Sequence, residues 1–278
     1  MDLEQKVIKL LEQYGIDDQR TAAWHLKRGE MLTASEIWKC FGDSTPAARH
    51  ELIMSKLSPP KQGDGPSVGA LVWGTRFEPM AKEIYCSEEG VQIVDTTCVK
   101  HRDYDYIGAS PDGIIRCSDE RNGRLVEFKC PISRKFDSTT PIPQHYFHQM
   151  QLQMECTDLY ECDYVEMQFK TMNYSEWKDS TAKYKSVFAV LGNGQVYYRS
   201  PINDSRDSYT WTEEVCGDSE YQLIYWAIVN TRKQLVPRDP DWMPTHFPEM
   251  KATWDEVLEH RKAGTFPASP KEKGILTI

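Results

Sequence analysis

Apolar positions in the first ninety residues recur every three or four places, the spacing typical of helices that pack on one face. The first helix, predicted in the segment MDLEQKVIKLLEQYG at the start of the chain, has an apolar face made of Leu3, Val7, Leu10 and Leu11. A second helix is predicted from a cap at Asp18 to Gly29. A third is predicted after Thr33, because Glu36 three residues later completes the pattern of a capping box.

Two further helices are predicted at 45–57 and 67–88, separated by a loop rich in Pro and Gly. The apolar stripe of the longer helix consists of Trp73, Phe77, Met80, Ala81 and Ile84. Glu78 lies beside that stripe rather than opposite it, so its carboxylate is expected to point into the protein.

From Val91 the pattern changes to the alternation of strands, and four strands are predicted, at 91–99, 105–110, 112–117 and 124–130. The last two are expected to pair as a hairpin. Further along the chain, the pattern predicts a helix at 143–156, a strand at 164–170, a hairpin around Gly192 to Gly194 and an amphipathic helix at 219–236.

This order of elements predicts a single α/β domain with a mixed central β-sheet flanked by helices, a helical N-terminal part and a C-terminal extension. Residues 1–236 form the domain in this interpretation. Residues 237–278 form a Pro-rich linker, a short helix and a tail packed on the same domain.

Composition narrows the class of protein. No run approaches the roughly 18 apolar residues of a membrane span, and the start lacks the apolar stretch of a signal peptide, so an intracellular location is expected. The eight cysteines have no CxxC spacing and are interpreted as reduced thiols. The net charge of −9 argues against a protein that coats nucleic acid, but an enzyme needs only a local basic surface.

The segment GASPDGIIRCSDERNGRLVEFKCP carries the candidate chemistry. Asp112 begins one strand, and Glu127 and Lys129 share a face of its expected partner strand, leaving the carbonyl of Phe128 nearby. Two carboxylates and a carbonyl suit Mg²⁺ or Mn²⁺, and a lysine beside them can stabilise charge developing on a phosphate. The alternative interpretation is an SPDG turn beside a surface ion pair of Glu127 and Lys129.

SPDG followed by EFKCP resembles the PD-(D/E)xK core of the lambda-exonuclease and YqaJ-like viral recombinase (alkaline exonuclease) family, and the resemblance runs from 24 to 154. It implies a restriction-endonuclease-like core. It also implies that Asp112, Glu127 and the main-chain carbonyl of Phe128 bind metal. Lys129 would be the catalytic lysine, Glu78 would support the metal's water shell, and Gln149 would orient a water or a substrate phosphate.

The same resemblance implies a pocket for a 5′-terminal phosphate made of Arg28, Ser35 and Ser110. Ser35 lies in the predicted first turn of a helix, where free N–H groups favour an anion. Asp103 and Gln151 are assigned supporting roles, although the spacing of Asp103 to SPDG is one residue short. Four basic residues, Lys100, Arg102, Arg134 and Lys135, are candidates for a rim along a DNA backbone.

The resemblance therefore implies a Mg²⁺-dependent 5′-to-3′ exonuclease, with Mn²⁺ as a substitute and two ions in the site. Its substrate would be double-stranded DNA with a free 5′-phosphorylated end, trimmed to 3′ single strands. A single-strand annealing protein and a trimeric assembly are implied partners, in a cytoplasm or in the nucleus of an infected host cell. Two alternatives stay open: an endonuclease or RNA-degrading nuclease on the same fold, and an inactive DNA- or protein-binding module.

Overall fold

The computed structural model of the protein describes residues 2–15, 21–58 and 69–270. Within them are eight α-helices: α1 (Leu3–Tyr14), α2 (Ala22–Gly29), α3 (Pro46–Leu57), α4 (Gly69–Glu89), α5 (Gln144–Thr157), α6 (Tyr174–Asp179), α7 (Ser208–Cys216) and α8 (Trp242–Ala263). The same residues contain ten strands: β1 (Leu32–Thr33), β2 (Gln92–Val94), β3 (Val99–Lys100), β4 (Ile107–Ala109), β5 (Gly113–Arg116), β6 (Leu125–Lys129), β7 (Glu161–Met172), β8 (Lys185–Leu191), β9 (Val196–Tyr198) and β10 (Tyr221–Pro237).

Seven strands form the main sheet, in the order β2-β5-β6-β7-β10-β8-β9, and β1, β4 and β3 form a small second sheet. In the main sheet β6 and β7 are parallel, and the other neighbours are antiparallel. Parallel neighbours need a crossover, which α5 provides between β6 and β7. The hairpin predicted for β5 and β6 is confirmed, as is the mixed sheet with helices before and after it.

The main sheet is covered on both faces, and the alternation of side chains along β6 shows which helices cover each face. Leu125 packs in a cluster with residues of α1, α3, α5 and α8. Val126 and Phe128 point the other way, into a cluster with Phe77 and other residues of α4. Glu127 and Lys129 lie two and four residues after Leu125 on the same strand, so their side chains lie on the same face as Leu125, the face covered by α5.

The apolar stripe predicted for α4 is confirmed, since four of its five residues are buried and Trp73 packs half-buried against the same cluster. All eight cysteines are free thiols, six of them buried. Among the helices of the described ranges, none has the length and apolar character required to cross a bilayer.

The N-terminal predictions need two corrections. The cap of α2 is Thr21, whose hydroxyl accepts a hydrogen bond from the N–H of Trp24 at 3.2 Å, and Asp18 lies outside the described residues. The helix predicted after Thr33 is a turn followed by a 3-10 helix at Ile37–Cys40. Thr33 lies opposite Gly108 in the short β1–β4 pairing and does not cap a helix. Its backbone groups bond to Glu36 instead, since its N–H donates to Glu36 Oε1 at 3.0 Å and its C=O accepts from the Glu36 N–H at 3.0 Å.

Three predictions further along the chain were also wrong. The helix predicted at 219–236 is β10, and the single strand predicted at 91–99 is divided into β2 and β3, which belong to different sheets. The last helix, α8, is 22 residues long and includes Pro248, part of the stretch interpreted as a linker. The loop predicted between α3 and α4 lies outside the described residues.

Candidate active site

The hairpin of β5 and β6 brings the two candidate carboxylates together. Gly113 pairs with Val126, so Asp112 lies next to Glu127 at the point where the β5–β6 ladder ends. The N–H of Phe128 donates to Oδ2 of Asp112 at 2.7 Å. Because the N–H and C=O of one strand residue point to the same edge, the carbonyl of Phe128 faces the Asp112 side.

The glycine of SPDG is required by packing as well as by the turn. A Cβ atom on Gly113 would lie 2.1 Å from Cγ2 of Ile93 in the neighbouring strand β2. Such an approach is far inside van der Waals contact. The motif therefore places Asp112 at the start of a strand that only a glycine can begin.

Glu127 is 1% exposed and is held by hydrogen bonds on both of its oxygens. Oε1 accepts from Lys129 Nζ and from Gln149 Nε2, the latter at 2.6 Å. Oε2 accepts from Gln153 Nε2 at 2.7 Å. Lys129 Nζ also donates to Gln149 Oε1 at 3.3 Å and lies 4.5 Å from the centre of the Tyr146 ring.

The electrostatics of these groups indicate excess negative charge. Burial, followed by the charges of Glu127 and Glu78, raises the pKa of Asp112 well above its usual value. Burial opposes the charged form of Lys129, but Glu127 and Asp112 outweigh it and raise the pKa of Lys129. One protonated lysine faces several carboxylates, so a bound cation would relieve their repulsion.

The donor set fits a hard divalent cation. Across the described ranges, no three or more His, Cys, Asp or Glu side chains are grouped closely enough to hold a metal ion by themselves. A cation between Asp112 and Glu127 would therefore need further oxygen ligands, such as the carbonyl of Phe128 and water. Mg²⁺ is usually bound in this manner, by one or two carboxylates and several waters.

A second cluster consists of Trp24, Arg28, Thr33, Ser35 and Ser110, and it is called the anion pocket after the phosphate-binding role predicted for three of its members. The Arg28 guanidinium donates to the hydroxyls of Ser35 at 2.8 Å, Thr33 at 3.1 Å and Ser110 at 3.4 Å. The Trp24 ring stacks on the guanidinium at 4.3 Å and donates from Nε1 to Ser110 Oγ at 3.2 Å. The three residues predicted to receive a terminal phosphate thus come together from α2, the turn after β1 and the SPDG segment.

The anion pocket is supported from behind by Glu36 and Lys56. Glu36 Oε1 accepts from the N–H of Thr33 at 3.0 Å and from its hydroxyl at 2.9 Å. The buried ammonium of Lys56 pairs with that same oxygen at 2.5 Å and donates to the carbonyl of Arg28 at 3.3 Å. The Thr33–Glu36 pattern that predicted a helix cap therefore stabilises the pocket instead.

The carboxylates and the anion pocket open into one cavity of about 610 Å³. Its lining includes Glu78, Leu71 and Thr75 from α4, Tyr146 from α5, and the segment 131–134 that follows β6. Glu78 is half-buried and lies near enough to Asp112 to affect its pKa. Arg134, one of the four predicted rim residues, is also in this lining.

Two predicted supporting residues lie elsewhere. Asp103 is on the surface, where it pairs with Arg102 at 3.0 Å, and both line a separate depression together with Lys100. Gln151 donates to the carbonyl of Pro237 at 3.0 Å and accepts from the N–H of Asp239 at 2.8 Å. At 3.6 residues per turn, Gln151 points away from the face of α5 that carries Gln149.

Two residues of the site were not predicted from the sequence. Gln153 contacts Glu127, and its position four residues after Gln149 on a predicted helix was a usable signal. Thr33 contacts Arg28, but its role in the anion pocket could not be distinguished from capping by sequence alone.

Comparison with known proteins agrees with this architecture. Residues 23–160 match the family model of the YqaJ-like viral recombinase domain. An alkaline exonuclease from Laribacter hongkongensis superposes with a TM-score of 0.54 at 20% identity, over 87% of this chain and 95% of that one. The same enzyme in complex with dAMP gives a TM-score of 0.51 at 22% identity, over 88% and 98%. The PD-(D/E)xK-like fold is thereby confirmed.

An uncharacterized protein of Acanthamoeba polyphaga mimivirus is 31% identical over 189 residues, which are 62% of this chain and 32% of that protein. The chain thus spans about a third of the length of this curated relative. Both the carboxylate cluster and the anion pocket fall within the residues matched by the family model, from Trp24 to Gln153. Residues 23–160 are therefore identified as a YqaJ-like viral recombinase domain.

Proposed function

We propose that the protein is a Mg²⁺-dependent deoxyribonuclease that hydrolyses double-stranded DNA from 5′-phosphorylated ends, leaving 3′ single strands. The observation that carries this proposal is that the anion pocket and the paired carboxylates open into one cavity. Ser110 of the pocket and Asp112 of the carboxylate pair are two residues apart, at most about 7 Å along an extended backbone. A terminal phosphate bound by Arg28 would therefore leave the next phosphodiester beside the carboxylates.

Asp112, Glu127 and the carbonyl of Phe128 would hold the cation, and the family resemblance favours two ions. A bound Mg²⁺ would polarise the scissile phosphate and lower the pKa of an attacking water. Glu127 is pre-oriented for this role, because three N–H donors hold its carboxylate in one position.

The remaining polar groups of the cavity have separable roles in the proposal. Lys129 keeps its proton and would stabilise negative charge on the phosphate in the transition state. Gln149 hydrogen-bonds to both Lys129 and Glu127, so it would hold these two groups in fixed relative positions. It would also orient a water between them and the phosphate. Glu78 would accept hydrogen bonds from waters around the cation.

The decisive experiment is digestion of an end-labelled linear duplex, with a 5′ phosphate or a 5′ hydroxyl, in Mg²⁺ or in EDTA. We expect mononucleotide release from the 5′-phosphorylated end in Mg²⁺ and none in EDTA. Lys129→Ala should lower kcat by about 100-fold or more, as loss of one preorganised charge stabiliser does. The matched control is Lys183→Ala, because Lys183 is an exposed surface lysine paired with Glu88.

Each contrary result has a defined meaning. Equal cleavage of circular DNA or of RNA would replace the exonuclease by an endonuclease or an RNA-degrading nuclease on this fold. A protein that binds duplex ends but cuts nothing in Mg²⁺ or Mn²⁺ would be a binding module. The trimeric assembly and the annealing partner stay predictions, and sedimentation of the protein with and without DNA would test the trimeric assembly.

A further inference from the structure

Gln153 is a fully buried residue whose amide lies behind the wall of the cavity. Its Nε2 donates to Oε2 of Glu127 at 2.7 Å and lies 3.5 Å from the carbonyl oxygen of Ser110. Ser110 belongs to the anion pocket, and Glu127 belongs to the carboxylate pair. Gln153 is therefore in contact with both halves of the site from behind.

The geometry of α5 explains why two of its amides reach the same carboxylate. Gln149 and Gln153 are four residues apart and so lie on one face of the helix. Gln149 occupies Oε1 of Glu127 and Gln153 occupies Oε2. With a donor on each oxygen, the carboxylate plane cannot rotate without breaking a short hydrogen bond.

The amide of Gln153 is held in one orientation at a cost to its own hydrogen bonding. Its Oε1 is buried and has no hydrogen-bond partner among the described residues. Turning the amide over would place Oε1 against Oε2 of Glu127 and against the Ser110 carbonyl, and all three atoms are acceptors. The orientation that leaves Oε1 unpaired is thus the one that serves Glu127.

We propose that Gln153 is a positioning residue that sets the cation affinity of the site by holding Glu127, an inference that rests on the proposed function. Groups that orient a metal ligand commonly change metal affinity or activity by about 10- to 100-fold when they are removed. Gln153 is not part of the cavity lining, and among the described residues its side-chain amide hydrogen-bonds to Glu127 and to the Ser110 carbonyl. Its loss should therefore weaken cation binding more than DNA binding.

The test compares Gln153→Met with wild-type protein and with Gln151→Met. Methionine keeps the length of the side chain and removes the donor. Gln151 is the matched control, because it is a buried glutamine of the same helix whose amide binds the 237–239 segment. Mn²⁺ and Mg²⁺ binding are measured by calorimetry without DNA, and kcat and KM for a 5′-phosphorylated duplex are measured across Mg²⁺ concentrations.

We expect Gln153→Met to bind Mn²⁺ about 10-fold or more weakly and to need correspondingly more Mg²⁺ for half-maximal activity. Its KM for DNA at saturating Mg²⁺ should change less than about twofold, and Gln151→Met should keep the wild-type cation affinity. If Gln153→Met binds cations with wild-type affinity, this inference is wrong but the proposed function is not affected. A wild-type protein that binds no divalent cation would overturn the proposed function together with it.

If Gln153→Met does not fold, Gln153→Asn takes its place in the same measurements. Asparagine retains the amide but is one methylene shorter, so it cannot reach Glu127 from the same backbone position. The same loss of cation affinity is expected, and wild-type affinity would again overturn the inference.

Discussion

Arg28 organises the anion pocket because its planar guanidinium offers several donors in a rigid fork. Three hydroxyls and the indole of Trp24 surround it, and burial lowers the pKa of Arg28. The family resemblance associated Arg28, Ser35 and Ser110 in the sequence, but only the tertiary structure shows the hydrogen bonds among them.

Arg28→Lys should reduce the preference for a 5′ phosphate while retaining activity on 5′-hydroxyl ends. A lysine keeps the charge but cannot reach a phosphate and the surrounding hydroxyls at the same time. Charge-assisted hydrogen bonds of this kind are worth about 1.5–3 kcal/mol, so the ratio of kcat/KM between the two ends should fall about 10- to 100-fold.

The control for this prediction is Arg102→Lys, which alters an exposed arginine that pairs with Asp103 outside the cavity. Its end preference should equal that of the wild type. An Arg28→Lys protein that still prefers phosphorylated ends to the same degree would separate the anion pocket from end recognition.

At the scale of elements, β10 is the clearest departure from the sequence pattern. Its apolar residues fit a helical face, yet Tyr221–Ala227 pair with β8 on one edge and Tyr225–Pro237 pair with β7 on the other. Those neighbours are distant in sequence, and hydrogen bonds to one or the other pair the backbone of β10 along its length. The spacing of apolar residues along one segment does not show which distant strands pair with it.

The long strand β10 also supports the segment that follows β6 at the cavity. Arg232 is 7% exposed, pairs with the fully buried Glu166 at 3.1 Å and donates to the carbonyls of Asp137 and Thr140. Arg134 of the cavity lining pairs with the same Glu166. One buried carboxylate therefore connects the middle of the sheet to the cavity.

Arg232→Met should lower the free energy of unfolding by about 3 kcal/mol, because it leaves Glu166 buried with only part of its compensation. Lys233→Met, at the next position, removes an exposed pair with Glu89 and should cost less than about 1 kcal/mol. Urea denaturation of the two variants measures both values. Similar losses in the two variants would mean that the buried pair is not a principal support of this region.

At the scale of the whole molecule, α8 packs on the family domain although it lies beyond residues 23–160. Trp254 stacks on Tyr106 with ring centres 5.5 Å apart, and Trp242 donates to Nδ1 of His148 at 2.9 Å. Arg261 pairs with Glu30 at the end of α2, close to the anion pocket. The C-terminal helix thus shares one core with the N-terminal helices.

Trp254→Ala should lower the free energy of unfolding by about 3 kcal/mol or more, the usual cost of removing a buried tryptophan. Leu258→Ala on the same helix should have a small effect, because Leu258 is 46% exposed. Thermal unfolding followed by circular dichroism should show one transition that shifts downwards as a whole in Trp254→Ala. Two separate transitions would show that α8 is not part of the same cooperative unit.

The sequence by itself was sufficient to predict proximity between residues that are close in the chain or that share one element. Asp112, Glu127 and Lys129 could be placed together because a hairpin and the two-residue period of a strand are local properties. The tertiary structure decided the strand at 221–237, the contact of Gln153 with Glu127 and the position of Gln151 away from the site. Each of these depends on which distant segment packs against the residue, and burial and hydrogen bonding to that segment outweigh the local pattern.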